Sequence, residues 1–361
     1  MEIHLVKDRA ALAQLCDRLA PSPWVALDTE FTRESTYYAR LGLLQVATEK
    51  VTACVDPLAV DLAPLLNLLY NPLTLKVIHA GRQDLEVLYD LRHQIPQPLF
   101  DTQIAAALLG YPTQIGYAAL VEALIGVKLP KLHTRANWEA RPLSEEQLRY
   151  ASDDVLYLKE VYRKLDGQIR ERGREGWLAE ECAALADPAL YRADPDTAYA
   201  RLNPGRAVPP AAQPLLRSLA AWRERTAQTR DRPRSWIAAD AVLIEIARQA
   251  PADRQSLERL PQISATFIQK HGGDILKLVE EMRGAPPERV WPDARPPTAA
   301  EQDQARRMLD RVSAVAQAHQ INPEIIATRR AVFALIRDRA GPLTRGWRYQ
   351  LIGKELLATA N

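Results

Sequence analysis

Short apolar runs rich in β-branched and aromatic residues crowd the N-terminal part of the chain. Trp24–Phe31, Leu41–Thr48, Thr52–Val55 and Leu75–His79 each read as a strand. The first three follow one another with little chain between, which predicts antiparallel hairpins. From Gly81 the apolar spacing changes to a helical period. Helices are predicted over Gly81–Leu91, Thr102–Leu109 and Tyr117–Ile125, and a long one from Ser144, where Ser144-Glu145-Glu146-Gln147 fits a capping box. Strands followed by covering helices predict an α/β layer built on a mixed sheet. Residues 211–283 and 300–359 carry the helical period alone, broken by Pro or Gly, and read as two small all-α domains. Pro-rich stretches at Asp194–Pro210 and Gly284–Pro297 read as linkers, because Pro removes a donor and resists helix continuation. The expected division is 1–195, 208–290 and 297–361.

Composition changes this picture little, and charge changes it more. The 361 residues are 47% hydrophobic and 25% charged, as in an ordinary globular protein of two or three domains. No apolar run reaches the ~18 residues of a membrane span, and the N-terminus lacks the basic-then-apolar order of a secretory signal. Cys16, Cys54 and Cys182 are odd in number and far apart, which suits a reducing cytoplasm and forms neither a zinc pattern nor a disulfide frame. The net charge of +2 divides unevenly. Residues 1–200 hold 21 Lys and Arg against 28 Asp and Glu, and residues 201–361 hold 26 against 17. An acidic half beside a basic half points to catalysis in the first and polyanion binding in the second.

Carboxylates at three stations carry the candidate chemistry. Asp28 and Glu30 interrupt an apolar strand two residues apart, so both point to one face while Leu27, Thr29 and Phe31 point to the other. Asp84 falls in the first turn of the helix that follows the turn at Ala80-Gly81. The helix dipole alone would also favour an acid there. Tyr150 and Asp154 lie i, i+4 on one face of the helix that starts near Ser144. Asp153 points about 100° away and reads as a solvated neighbour. Several carboxylates in one site repel unless cations neutralise them, and hard oxygen ligands select Mg²⁺ or Mn²⁺ over zinc. His79 reads first as a hydrogen-bonded histidine at a strand end.

Taken together, Asp28-Thr29-Glu30, His79-Ala80-Gly81-x-x-Asp84 and Tyr150-x-x-x-Asp154 resemble the three exonuclease motifs of the DEDD superfamily in its tyrosine branch. The histidine branch would place His where this chain has Arg149. Within the tyrosine branch the pattern resembles bacterial ribonuclease D. Residues 211–283 resemble an HRDC domain, and residues 300–359, with Ile321-Asn322-Pro323-Glu324 and Gly346-Trp347-Arg348, resemble a second. Two departures stand out. Asp153 adds an acid beside Asp154, and Ser264 stands where a helix–turn–helix Gly is expected.

The resemblance implies a ribonuclease H-like mixed sheet flanked by helices, followed by the two helical domains. It implies release of nucleoside 5′-monophosphates from single-stranded RNA 3′ ends, with tRNA precursors as the expected substrate, by a monomer using two Mg²⁺ or Mn²⁺ ions. In that scheme Asp28 bridges both ions. Glu30 and Asp154 hold the ion that activates water, Asp84 supports the second, and Tyr150 orients the attacking water. Phe31, His79, Lys131 and Arg135 are secondary candidates for substrate contact. Lys131 and Arg135 lie in a basic loop that ends at Trp138, itself read as a core anchor. Arg223, Arg225, Arg230, Arg232 and Arg234 suit a phosphate surface, and Trp222 and Trp236, which bracket them, read as helical core. The rival readings are a single-stranded DNA exonuclease and a non-catalytic RNA-binding adaptor. No Gly-rich loop ending in Gly-Lys-Ser/Thr supports a helicase-type reading.

Overall fold

A computed structural model describes residues 4–130, 136–202, 208–291 and 295–359. The chain divides into two compact units. One comprises Met1–Thr32, Arg40–Tyr191 and Pro297–Asn361, and the other Arg33–Ala39 and Arg192–Pro296.

The first unit is built on six strands, β1 (His4–Val6), β2 (Trp24–Thr32), β3 (Arg40–Ala47), β4 (Thr52–Val55), β5 (Leu75–Ile78) and β6 (Leu99–Asp101). Their order in the sheet is β1-β4-β3-β2-β5-β6. β2, β3 and β4 pair antiparallel, as their close succession predicts, while β1–β4, β2–β5 and β5–β6 are parallel. Consecutive residues Leu43, Leu44, Gln45 and Val46 are all buried, so the sheet is covered on both faces. The covering helices are α1 (Arg9–Leu19), α2 (Ala63–Leu69), α3 (Arg82–Arg92), α4 (Thr102–Leu108), α5 (Tyr117–Ile125), α6 (Glu145–Leu156), α7 (Leu158–Glu171) and α8 (Glu175–Leu185). The capping box at Ser144 and Gln147 starts α6, which lies across β2, β3 and β4. Strands β1 and β6, of three residues each, are too short for a periodicity to reveal.

The segment from Pro297 belongs to this same unit. Trp347 stacks on Trp177 of α8 with ring centres 4.6 Å apart, and its indole nitrogen donates to Glu181. Arg348 pairs with Glu181 in two bonds and also donates to the Ile325 carbonyl. Asn322 donates from its backbone to Ala107 and from its amide to Tyr111.

The second unit is helical. It contains α9 (Gln213–Arg230), α10 (Arg234–Ile237), α11 (Asp240–Gln249), α12 (Arg254–Glu258) and α13 (Ala265–Glu281). Leu216, Leu219, Trp222, Leu243, Ile246 and Ile275 form its core. Glu224 is fully buried there and is satisfied by Arg201, Arg234 and the Tyr37 hydroxyl. The arginine run is therefore only partly a surface. Arg234 is committed to Glu224, and Arg223 is buried against the Ala238 carbonyl and Asp240. Trp222 joins the core as expected, but Trp236 is 61% exposed. On the one-turn helix α10 it is Ile237 that turns inward, and Arg232 lies over the Trp236 ring.

Candidate active site

Alternation along β2 sets the first two carboxylates. Asp28 and Glu30 face α6 on the same side of the strand, opposite Gln45 and Leu43 of β3. α6 brings Asp154 down onto that face, one turn beyond Tyr150. Asp28, Glu30 and Asp154 each offer an oxygen, and these atoms lie within 4.8 Å of one another. Asp84 stands beside this group rather than in it. Its Oδ1 accepts the Thr29 backbone N–H at 3.1 Å and the Thr29 hydroxyl at 2.5 Å.

Asp84 is held by a turn that needs its own support. Ala80 takes a positive φ of 51°, and Gly81 is needed for space, since a Cβ there would lie 2.4 Å from the Ile78 side chain. The buried carboxylate of Asp101 accepts the N–H groups of Ala80 and Gly81 and also caps α4. Nothing in local spacing marks Asp101 for this task, because the turn and the cap are 20 residues apart.

Crowded, half-desolvated carboxylates resist ionisation. Burial pushes Glu30 up to about 8, with Asp154 and Asp84 adding to it. Burial, then Asp153 and Asp84, pushes Asp154 to about 7. Asp28 is held well above the usual carboxylate range by burial and by the charges of Asp84, Asp154 and Glu30. Burial raises Asp84 only to about 6, because the Thr29 bonds oppose it. Bound cations would relieve this repulsion, and a donor set made wholly of carboxylate oxygens fits a hard divalent cation.

Tyr150 is half-buried, and burial together with Asp154, Glu30 and Asp28 raises its hydroxyl above the usual value. Its ring lies 6.2 Å from that of Trp138 at an inclination of 30°. Trp138 is buried against Gly42, where a Cβ would lie 2.6 Å from the Trp138 Cβ. The register of β2 against β3 slips at this point, between Glu30 and Phe31. Arg141 ties the segment down with two bonds to Asp56 and further bonds to the carbonyls of Gly42, Trp138 and Ala140.

Phe31 is half-buried next to Glu30. His79 has both ring nitrogens engaged, Nδ1 with the Thr102 hydroxyl at 2.9 Å and Nε2 with the Ile115 carbonyl at 3.2 Å. Lys131 and Arg135 lie outside the described residues. Sequence reasoning missed Thr29 as the anchor of Asp84. It also missed Tyr117, whose hydroxyl donates to the Asp153 carbonyl and is pushed up by burial, Asp154 and Asp28. Asp153 thus contributes its main chain to the site's frame, while its half-buried carboxyl lies near Arg149.

A 3′-5′ exonuclease family model matches residues 3–170, and an HRDC domain model matches residues 212–279. The chain is 39% identical to ribonuclease D of Acidiphilium cryptum over 360 residues, covering 98% of this chain and 92% of that one. It is 36% identical to ribonuclease D of Pseudomonas paraeruginosa over 368 residues, covering 99% and 97%. The crystal structure of Escherichia coli RNase D, described as an exoribonuclease involved in structured RNA processing, superposes with a TM-score of 0.86 at 32% identity, covering 99% of this chain and 98% of that one. Agreement of this depth along the whole length, on the fold that gathers the acids of β2 and α6, means that the chain belongs to the ribonuclease D family of 3′-5′ exoribonucleases.

Proposed function

We propose that this exoribonuclease trims the 3′ ends of tRNA precursors as a monomer, with two Mg²⁺ or Mn²⁺ ions in one site. The observation that carries the reading is the convergence of Asp28, Glu30 and Asp154 within 4.8 Å, with Asp84 fixed beside them. When bound, the ions would supply the positive charge that a dianionic phosphodiester transition state requires. Asp28, Glu30 and Asp154 would hold them through oxygen. Asp84, pinned by Thr29 through one oxygen, would support the second ion. Tyr150 keeps its proton at neutral pH, so it orients the attacking water by hydrogen bonding and does not act as the base. Water adds to the terminal phosphorus and the 3′ oxygen of the preceding nucleotide leaves. The products are a nucleoside 5′-monophosphate and an RNA shortened by one residue. Phe31, with Lys131 and Arg135, is the proposed contact to the terminal nucleotides, while His79 is committed through both ring nitrogens to Thr102 and Ile115. The HRDC domain, with residues 297–361 as a second such module, supplies the wider grip on RNA.

The test uses Asp28→Ala. Loss of 5′-monophosphate release from a labelled 3′-extended tRNA, with the circular dichroism and melting temperature of the folded chain retained, is expected. Undiminished release by this variant would remove the metal-site assignment. Faster digestion of single-stranded DNA than of the tRNA substrate would remove the substrate assignment alone.

A further inference from the structure

Gln45 is the one fully buried side chain, among the described residues, whose amide oxygen and nitrogen both lack a hydrogen-bond partner. It sits in the middle of β3, between the buried apolar residues Leu44 and Val46 of its own strand. Its register decides what it faces. Asp28 of β2 is its direct partner on one side and Cys54 of β4 on the other. Directly opposed residues of antiparallel strands share a face, with Cβ atoms about 5 Å apart. Gln45 therefore lies beneath α6, on the face that carries Asp28 and Glu30. Cys54 reports the same neighbourhood, since the charges of Asp154 and Asp28 help burial to push its thiol up to about 12.

An amide that neither packs as a hydrocarbon nor bonds to protein is a poor choice for a sheet interior. Leu or Met would fill the space without that penalty. Asp84 takes both the backbone N–H and the hydroxyl of Thr29, which leaves the Asp28 carboxylate to be oriented by other groups. A carboxylate that binds a cation needs such donors on its remaining oxygen sites to fix its orientation.

We infer that Gln45 is a positioning residue for the metal site, donating its amide N–H through a water molecule to the Asp28 carboxylate and so fixing that carboxylate for cation binding. This rests on the metal-site reading of the acidic group. Gln45 touches neither substrate nor ion. It acts on the ligand, so its effect falls on metal affinity before it falls on the rate at saturating metal.

The experiment compares wild type with Gln45→Met and Gln45→Leu, which keep the volume and remove the amide. Mn²⁺ binding is followed by calorimetry in the absence of RNA, and melting temperature is measured in EDTA. Both variants are expected to stay folded in EDTA and to melt near the wild-type temperature, because the side-chain volume is kept. Their Mn²⁺ affinity is expected to fall about tenfold. The Mn²⁺ concentration for half-maximal activity should rise by the same factor, with most of the rate recovered at saturation. A residue that only fills the sheet would lower the melting temperature and leave affinity alone. Gln45→Met binding Mn²⁺ within twofold of wild type overturns the inference while leaving the metal site intact. A wild-type chain that binds no Mn²⁺ overturns both.

Discussion

Glu30→Gln should make the metal-free protein more stable while destroying its activity. Burial, with Asp154 and Asp84, holds Glu30 at about 8 in the folded chain against an ordinary 4.5. Between those values the folded state keeps a proton that the unfolded state has released. Stability therefore falls as pH rises through that window, because the unfolded state binds fewer protons. Each pKa unit is worth about 1.4 kcal/mol, so the penalty at pH 7 is at most about 3.5 kcal/mol, and at pH 5 about 1 kcal/mol. Glutamine is neutral in both states and escapes the penalty with nearly the same shape. Chemical denaturation in EDTA should find the variant about 1–3 kcal/mol more stable at pH 7, with the gap closing toward pH 5. Adding Mg²⁺ should close or reverse the gap at pH 7, since cation binding stabilises the wild type by mass action. A variant no more stable than wild type in EDTA at pH 7, or a gap independent of pH, would refute the claim that crowding of carboxylates shapes this site.

Metal affinity should climb from pH 6 to pH 8 as Asp84 (about 6), Asp154 (about 7) and Glu30 (about 8) give up protons. Calorimetric titration with Mn²⁺ in two buffers of different ionisation heat reads the protons released, and a count of zero would contradict the shifts. Thr29→Val removes the hydroxyl that lowers Asp84. Activity should drop about ten- to a hundredfold and the acid limb of the pH–rate profile should move up, so an unmoved limb would count against the anchor role. Arg141→Ala strands the mostly buried Asp56 and releases three carbonyls around Trp138. Urea denaturation should register a loss of about 2–4 kcal/mol, and a change under about 0.5 kcal/mol would show that the tether is dispensable.

Much of the site could be read along the chain because its members obey local periodicities. The strand repeat of two places Asp28 and Glu30 together, and the helix repeat places Tyr150 above Asp154. The capping box announces the helix that carries the last two. What could not be read is every relation that crosses between elements. Thr29 looks idle on its strand until α3 brings Asp84 to its hydroxyl, 55 residues away. Gln45 looks like an ordinary polar residue until sheet register sets it beside Asp28. Trp236, expected in a core, is exposed because the neighbouring Ile237 takes the inward position on a helix of only one turn.

Sequence alone thus determined the chemistry: which side chains are present, on which face of which element, and with what mutual spacing. Local backbone geometry is enough for that, because side-chain direction follows from strand and helix repeats. Tertiary structure alone decided the energetics. It set three carboxylates within 4.8 Å, desolvated them until their protons hold near neutral pH, and placed Asp84 just aside under the control of Thr29. Those properties depend on distance and burial between segments far apart in the chain, and no local repeat encodes either.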